Sequence, residues 1–214
     1  MKVKGIIFDM DNTILHSKID FKAMKAAVYN LALEEGLISR GLELEEYTTS
    51  TIIRAVKETG KLTYEINNKI WRTVLSYEVA GMENAGLEVG ALELLKAINN
   101  KLKIVLLTNN GYAAALKALE LTNIKAYFDL IVARDNMESL KPDPSGFLYT
   151  LSKYKDILSK DWISVGDSWI DGKASMEAGI PFVLYGDKLK DIEERGIELR
   201  GNIKELKEIL EYIK

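Results

Sequence analysis

Cysteine is absent from this chain of 214 residues. Its absence excludes disulfides, thiolate metal sites and cysteine nucleophiles together, and leaves the redox compartment open. Long apolar runs are lacking as well. The N-terminal run, Gly5 to Phe8, is too short for the apolar part of a secretion signal, and no later run approaches the length of a membrane span. Neither sign of charge is gathered into a block: 29 basic and 32 acidic side chains leave a formal charge of −3. No footprint for nucleic acid or a membrane surface is therefore expected, and the default expectation is a cytoplasmic protein.

What is present is apolar material, 47% of the residues, enough for one sizeable core and a smaller accessory domain. Short, largely β-branched runs recur at Gly5 to Phe8, Ile104 to Leu107, Leu130 to Val132, Ile163 to Val165 and Phe182 to Leu184, and read as buried strands. Between them lie stretches of helical period: Val89, Leu92, Leu95, Ile98 and Leu102; then Tyr112 to Leu121; then Ile203, Leu206, Leu210 and Ile213. Strands alternating with helices predict a three-layer α/β fold around a parallel sheet.

One region breaks the alternation. From about Asp20 to Met82 only helical period is found, with Phe21, Met24, Val28 and Leu31 opening one helix and Ile66, Ile70, Val74 and Tyr77 marking a later one. This predicts a helical cap over residues 18–83, inserted into a core formed by residues 1–17 and 84–214. Trp71 and Trp162 fall within apolar patterns and read as core, whereas Trp169 is placed to line a cleft.

Ligands of open parallel sheets bind at the carboxyl ends of the strands, and four such ends carry polar residues. The first runs Asp9-Met10-Asp11-Asn12-Thr13. Residues two apart on an extended chain face the same way, so Asp9 and Asp11 point to one pocket. Two carboxylates so close need an offsetting cation. Such a pair divides labour between a nucleophile and an acid that later activates water; an Asx turn or N-cap accounts for one Asp, not both. The second end, Thr108-Asn109-Asn110-Gly111, reads either as a helix cap or as a phosphate cradle of hydroxyl, amide and turn N–H groups.

At the third, Lys141-Pro142-Asp143-Pro144, two prolines stiffen the backbone around a single lysine. It is either a fixed cation or a surface lysine at a helix start. The fourth, Gly166-Asp167-Ser168-Trp169-Ile170-Asp171, adds two carboxylates that with Asp9 offer the oxygen ligands Mg²⁺ prefers. A Walker loop at Gly166 to Lys173 is rejected, because Ala174 replaces the required Ser or Thr and two aspartates would repel phosphate. His16, the only histidine, lies near the hinge between core and cap or is a simple surface residue.

Taken in order, Asp9-x-Asp11-x-Thr13, Thr108-Asn109, Lys141-Pro142 and Gly166-Asp167-Ser168 with Asp171 resemble the four motifs of the haloacid dehalogenase-like hydrolase superfamily. The resemblance runs from residue 1 to about 186 and is to the phosphoglycolate phosphatase-like branch with a type 1 helical cap. It implies a Rossmann-like core and a phosphatase of small phosphorylated metabolites. In that family pattern Asp9 attacks phosphorus, and Asp11 protonates the leaving oxygen and then deprotonates water. Thr108, Asn109 and Lys141 hold the phosphoryl oxygens. Mg²⁺ sits on the Asp9 carboxylate, the Asp11 main-chain carbonyl and Asp167, supported by Thr13 and Asp171. The haloalkanoate dehalogenases lack an acid at the position of Asp11, so the resemblance favours phosphate chemistry. Asn12 departs from the glycine common there, though Asn tolerates left-handed backbone angles. A phosphomutase, which returns the phosphoryl group to sugar, and a non-catalytic binding module on the same fold are the alternatives. A receiver domain with similar acidic strand ends lacks the helical insertion.

Overall fold

The computed structural model describes residues 2–39, 41, 43–83 and 85–213. The chain divides into two compact units, residues 1–17 with 85–214, and residues 18–84. Residue 84, from which the sequence reading resumes the core, lies outside the described residues. In chain order the elements are β1 (Gly5–Phe8), β2 (Leu15–His16), α1 (Phe21–Glu34), α2 (Thr49–Glu58), α3 (Tyr64–Met82), β3 (Gly86–Leu87), α4 (Ala91–Ile98) and β4 (Lys103–Leu107). There follow α5 (Tyr112–Leu121), β5 (Leu130–Val132), α6 (Ser145–Lys153), β6 (Trp162–Gly166), α7 (Trp169–Glu177), β7 (Phe182–Tyr185), α8 (Leu189–Glu194) and β8 (Gly201–Ile203).

Six strands form one sheet in the order β5-β4-β1-β6-β7-β8, every neighbouring pair parallel. Because β1 is central and the order reverses across it, the carboxyl ends of β1, β4 and β6 lie side by side, where such sheets bind ligands. Helices α6 and α7 pack over β4, β6 and β7. Beneath them Ile7, Val105, Leu107, Val132, Phe147 and Trp162 make one buried cluster, and the continuous apolar strands suit a sheet covered on both faces. The remaining pair, β2 and β3, forms a separate two-stranded antiparallel ladder.

The second unit is helical. α1 packs on both α2 and α3, burying Met24, Val28 and Ala32 of α1 with Ile52, Ile53 and Val56 of α2 and Ile70, Val74 and Met82 of α3. These positions recur at three and four residues, one face of each helix. Thr48 caps α2 by accepting from Thr51 N–H, and Thr63 caps α3 by accepting from Ile66 N–H. α3 ends against Ile19, whose main chain lies 2.5 Å from where a Cβ on Gly81 would stand, so only glycine fits. No helix among the described residues is long and apolar enough to cross a membrane.

Four expectations are corrected. Val89 is 86% exposed and precedes α4, which is held instead by Ala91, Leu94, Leu95 and Ile98. Trp71 is half-buried, whereas Trp162 is 1% exposed. Trp169 opens α7, packs against the Phe182, Leu184, Ile192 and Ile197 cluster, and carries the Arg195 guanidinium over its ring at 4.4 Å. Ile203 closes strand β8, and the stretch after it is a 3₁₀ helix over Leu206–Glu211 that buries Leu206 and Ile209. A 3₁₀ helix repeats every three residues, so the buried partner of Leu206 is three residues on, not four.

Candidate active site

Asp9 follows β1 directly and its N–H is held by the Val165 carbonyl of β6 at 2.9 Å, which fixes the residue between two central strands. The chain then turns. The Met10 carbonyl accepts from Ile14 and Leu15 N–H, and Asn12 takes φ 58, the left-handed angle that Asn tolerates. This turn carries Asp11 beyond the strand end and folds Thr13 back, fully buried, with its hydroxyl donating to Asp9 Oδ2 at 3.4 Å.

Lys141 organises the centre. It is 2% exposed, and its ammonium donates to Asp9 Oδ1 at 2.6 Å, to Asp171 Oδ1 at 2.6 Å and to the Leu107 carbonyl at 3.1 Å. An ammonium has three N–H donors, and all are used. The lysine that sequence reasoning placed on phosphoryl oxygens is thus committed to the two aspartates and a strand end. Breaking a buried pair by removing one partner typically costs about 3–5 kcal/mol, because a buried charge is left uncompensated.

The loop that presents Lys141 is held by Asn109. Its amide donates to the Lys141 carbonyl at 3.0 Å, and its Oδ1 accepts from Lys141 N–H at 2.8 Å, next to the cis Lys141–Pro142 peptide. Asn109, expected on the phosphate, therefore uses both ends of its amide on the backbone of the lysine. Thr108 follows β4, tied by its N–H to the Val132 carbonyl at 2.9 Å, and its hydroxyl accepts from Asn110 N–H at 3.1 Å.

At the end of β6, Asp171 has two roles. Oδ2 accepts from Ser168 N–H at 3.2 Å at the start of α7, while Oδ1 meets Lys141. A Cβ on Gly166 would stand 2.6 Å from Asp171 Cβ and Cγ, so glycine is what lets the helix turn in this close. Oxygens of Asp9, Asp167 and Asp171 all lie within 4.8 Å of one another.

This crowding sets the electrostatics. Burial pushes the Asp9 carboxyl well above the usual carboxylate range; the Lys141 charge opposes the shift, and Asp171, Asp167 and Asp11 add to it. Burial alone would lower the Lys141 ammonium, but the charges of Asp171 and Asp9 outweigh it and hold the pKa above its ordinary value. Asp167 is raised by burial and Asp171, against the pull of Lys188. The oxygens fit Mg²⁺ in type, since that ion takes carboxylate oxygens.

All the residues expected at the site lie on the core unit, at the ends of β1, β4 and β6 and in the loop before α6. Sequence reasoning missed two partners. Asn110 donates from its amide to Asp11 Oδ2 at 2.5 Å; the signal was a second amide in the loop after a strand neighbouring β1. Lys188 donates to Asp167 Oδ2 at 2.5 Å; it follows β7, another strand of the same sheet, and the strand-end rule would have pointed to it. His16 sits in β2, mostly exposed, with Nδ1 3.5 Å from Glu88 Oε1.

Comparison with known proteins places these features. The family model for haloacid dehalogenase-like hydrolases matches residues 6–185. A phosphoglycolate phosphatase of Nitrosospira multiformis is 29% identical over 84% of this chain and 81% of its own length. One of Aquifex aeolicus is 31% identical over 85% and 84%. Among solved structures, the HAD hydrolase YfnB of Bacillus subtilis, whose magnesium-bound crystal form is described as revealing interdomain movement, superposes with a TM-score of 0.64. That likeness covers the whole of both chains at 21% identity and shows the fold. The chain belongs to the haloacid dehalogenase-like hydrolase family, as a phosphoglycolate phosphatase-like member.

Proposed function

We propose that this protein is a Mg²⁺-dependent phosphatase that hydrolyses small phosphomonoesters through a phosphoryl group carried on Asp9. The observation that carries the reading is the buried ammonium of Lys141, 2.6 Å from both Asp9 and Asp171, among aspartates at adjoining strand ends. An aspartate so placed is held in one orientation, and the cation on one oxygen favours the ionised form that a nucleophilic carboxylate needs.

Asp9 attacks phosphorus; the P–O bond to the alcohol breaks as the P–O bond to Asp9 forms, and Asp11 gives its proton to the departing oxygen. Asp11, now ionised, takes a proton from water, which attacks the phosphoryl group and frees Asp9 and inorganic phosphate. Lys141, fixed by Asn109 and Asp171, offsets negative charge on Asp9. Thr108 and the turn N–H groups beside it meet the phosphoryl oxygens. Asp9, Asp167 and the Asp11 main-chain carbonyl would hold Mg²⁺, with Asp171 near them. When bound, that ion supplies the positive charge that phosphoryl transfer needs.

Phosphoglycolate is the first substrate to test, because the matched relatives carry that name. The test is phosphate release from p-nitrophenyl phosphate, phosphoglycolate and other natural esters, with Mg²⁺ and with EDTA. We expect turnover that needs Mg²⁺ and is lost in Asp9→Asn. Release unaffected by EDTA or by Asp9→Asn would refute the mechanism.

A further inference from the structure

We infer that Asn110 is the positioning residue for the acid and base of the reaction, acting through Asp11. The inference rests on the reading of Asp11 given above and deepens it. Asp11 lies on the turn beyond β1, in a local bridge to Leu15 outside the main sheet, so the sheet does not set the direction of its carboxyl. The Asn110 amide holds the carboxyl: Nδ2 donates to Asp11 Oδ2 at 2.5 Å.

Asn110 is itself rigidly placed. It is 5% exposed. Its N–H donates to Thr108 Oγ1 at 3.1 Å, and its carbonyl accepts from Arg134 N–H at 3.0 Å. Thr108 in turn is tied to Val132 of β5. A chain of hydrogen bonds thus runs from β5 through the loop after β4 to the carboxyl group beyond β1. Position in a proton transfer is demanding, and a displacement of about 1 Å can cost on the order of 100-fold in rate.

The residue type also matters. A lysine here would fix the carboxyl but add a permanent positive charge beside it, favouring one protonation state throughout the cycle. A neutral amide orients the group and leaves it able to give and take a proton, as the two half-reactions require. The charged partner in the site, Lys141, serves Asp9 and Asp171 instead.

The leaving group supplies the test. Nitrophenolate departs without help from an acid, whereas the alkoxide of phosphoglycolate needs a proton. Values of kcat/KM report ester cleavage and would be measured on both esters for wild type, Asn110→Ala, the near-isosteric Asn110→Asp, Asp11→Asn and the double variant Asn110→Ala/Asp11→Asn. Loss of the donor should lower kcat/KM on phosphoglycolate by about 10- to 100-fold and on p-nitrophenyl phosphate by less than about threefold. Asn110→Asp replaces the donor with a second carboxyl beside Asp11 and should lower kcat/KM on phosphoglycolate at least as much as Asn110→Ala, and the Asn110→Ala loss should not appear once Asp11 is Asn. Equal losses on both esters, or losses that multiply in the double variant, would overturn the inference. If Asp11→Asn itself fails to discriminate between the esters, the role of Asp11 has failed and the inference falls with it.

Discussion

Asp9 is a carboxylate placed where its own charge is unwelcome. Its raised pKa means that the folded protein binds the proton more tightly than the unfolded chain does. Its contribution to stability is therefore full below the ordinary value of 3.8 and is lost as pH rises through the raised one. In metal-free protein, Asp9→Asn should then gain stability relative to wild type as pH rises above 3.8, in exchange for activity. Lys141 keeps Asp171 and the Leu107 carbonyl as partners in that variant. The gain should shrink as pH falls toward 3.8, because wild-type Asp9 takes up its own proton. Thermal unfolding of both proteins across that range is the check, and a variant whose stability relative to wild type does not rise with pH would contradict the account. At this scale the sequence placed Asp9 at a strand end, but the alternation that paired it with Asp11 does not hold, because Asp11 lies on the turn beyond β1. It did not show that Asn109 grips the lysine backbone or that Asn110 reaches Asp11, because amide partners depend on how loops from different strands meet.

The ends of the elements carry the chemistry. Asp171 belongs to α7 and meets Lys141 only because Gly166 at the end of β6 leaves room for it. Gly166→Ala should force the two apart. We expect a loss of about 1–3 kcal/mol from overpacking and a fall in kcat of roughly tenfold or more from the displaced aspartate; melting and turnover assays measure both. Unchanged kcat with lowered stability would show that the Asp171–Lys141 contact is not needed for the reaction. The five strands read from apolar runs stand where their sequences placed them, because a strand covered on both faces is apolar throughout. β8 escaped notice: Gly201, Asn202 and Ile203 make only three residues, and the leucine and isoleucine spacing after them imitated an α-helix. Val89, likewise, fits a helical period yet lies outside α4.

Across the whole molecule, two units divide the sequence, one built on a parallel sheet and the other, among the described residues, on three α-helices. The family match spans residues 6–185 and so includes both. All of the chemistry argued above resides in the sheet unit, and the choice of ester is left to be read from activity on a panel of substrates. The central claim is that Asp9 carries the phosphoryl group. Its most direct test is acid quenching of Asp11→Asn during reaction with an aryl phosphate radiolabelled in phosphorus, whose leaving group departs unaided, while the missing base slows hydrolysis. The account predicts a hydroxylamine-labile phosphoryl group on the peptide that contains Asp9, and none in the Asp9→Asn variant; label on any other residue, or no trapped label at all, would contradict it.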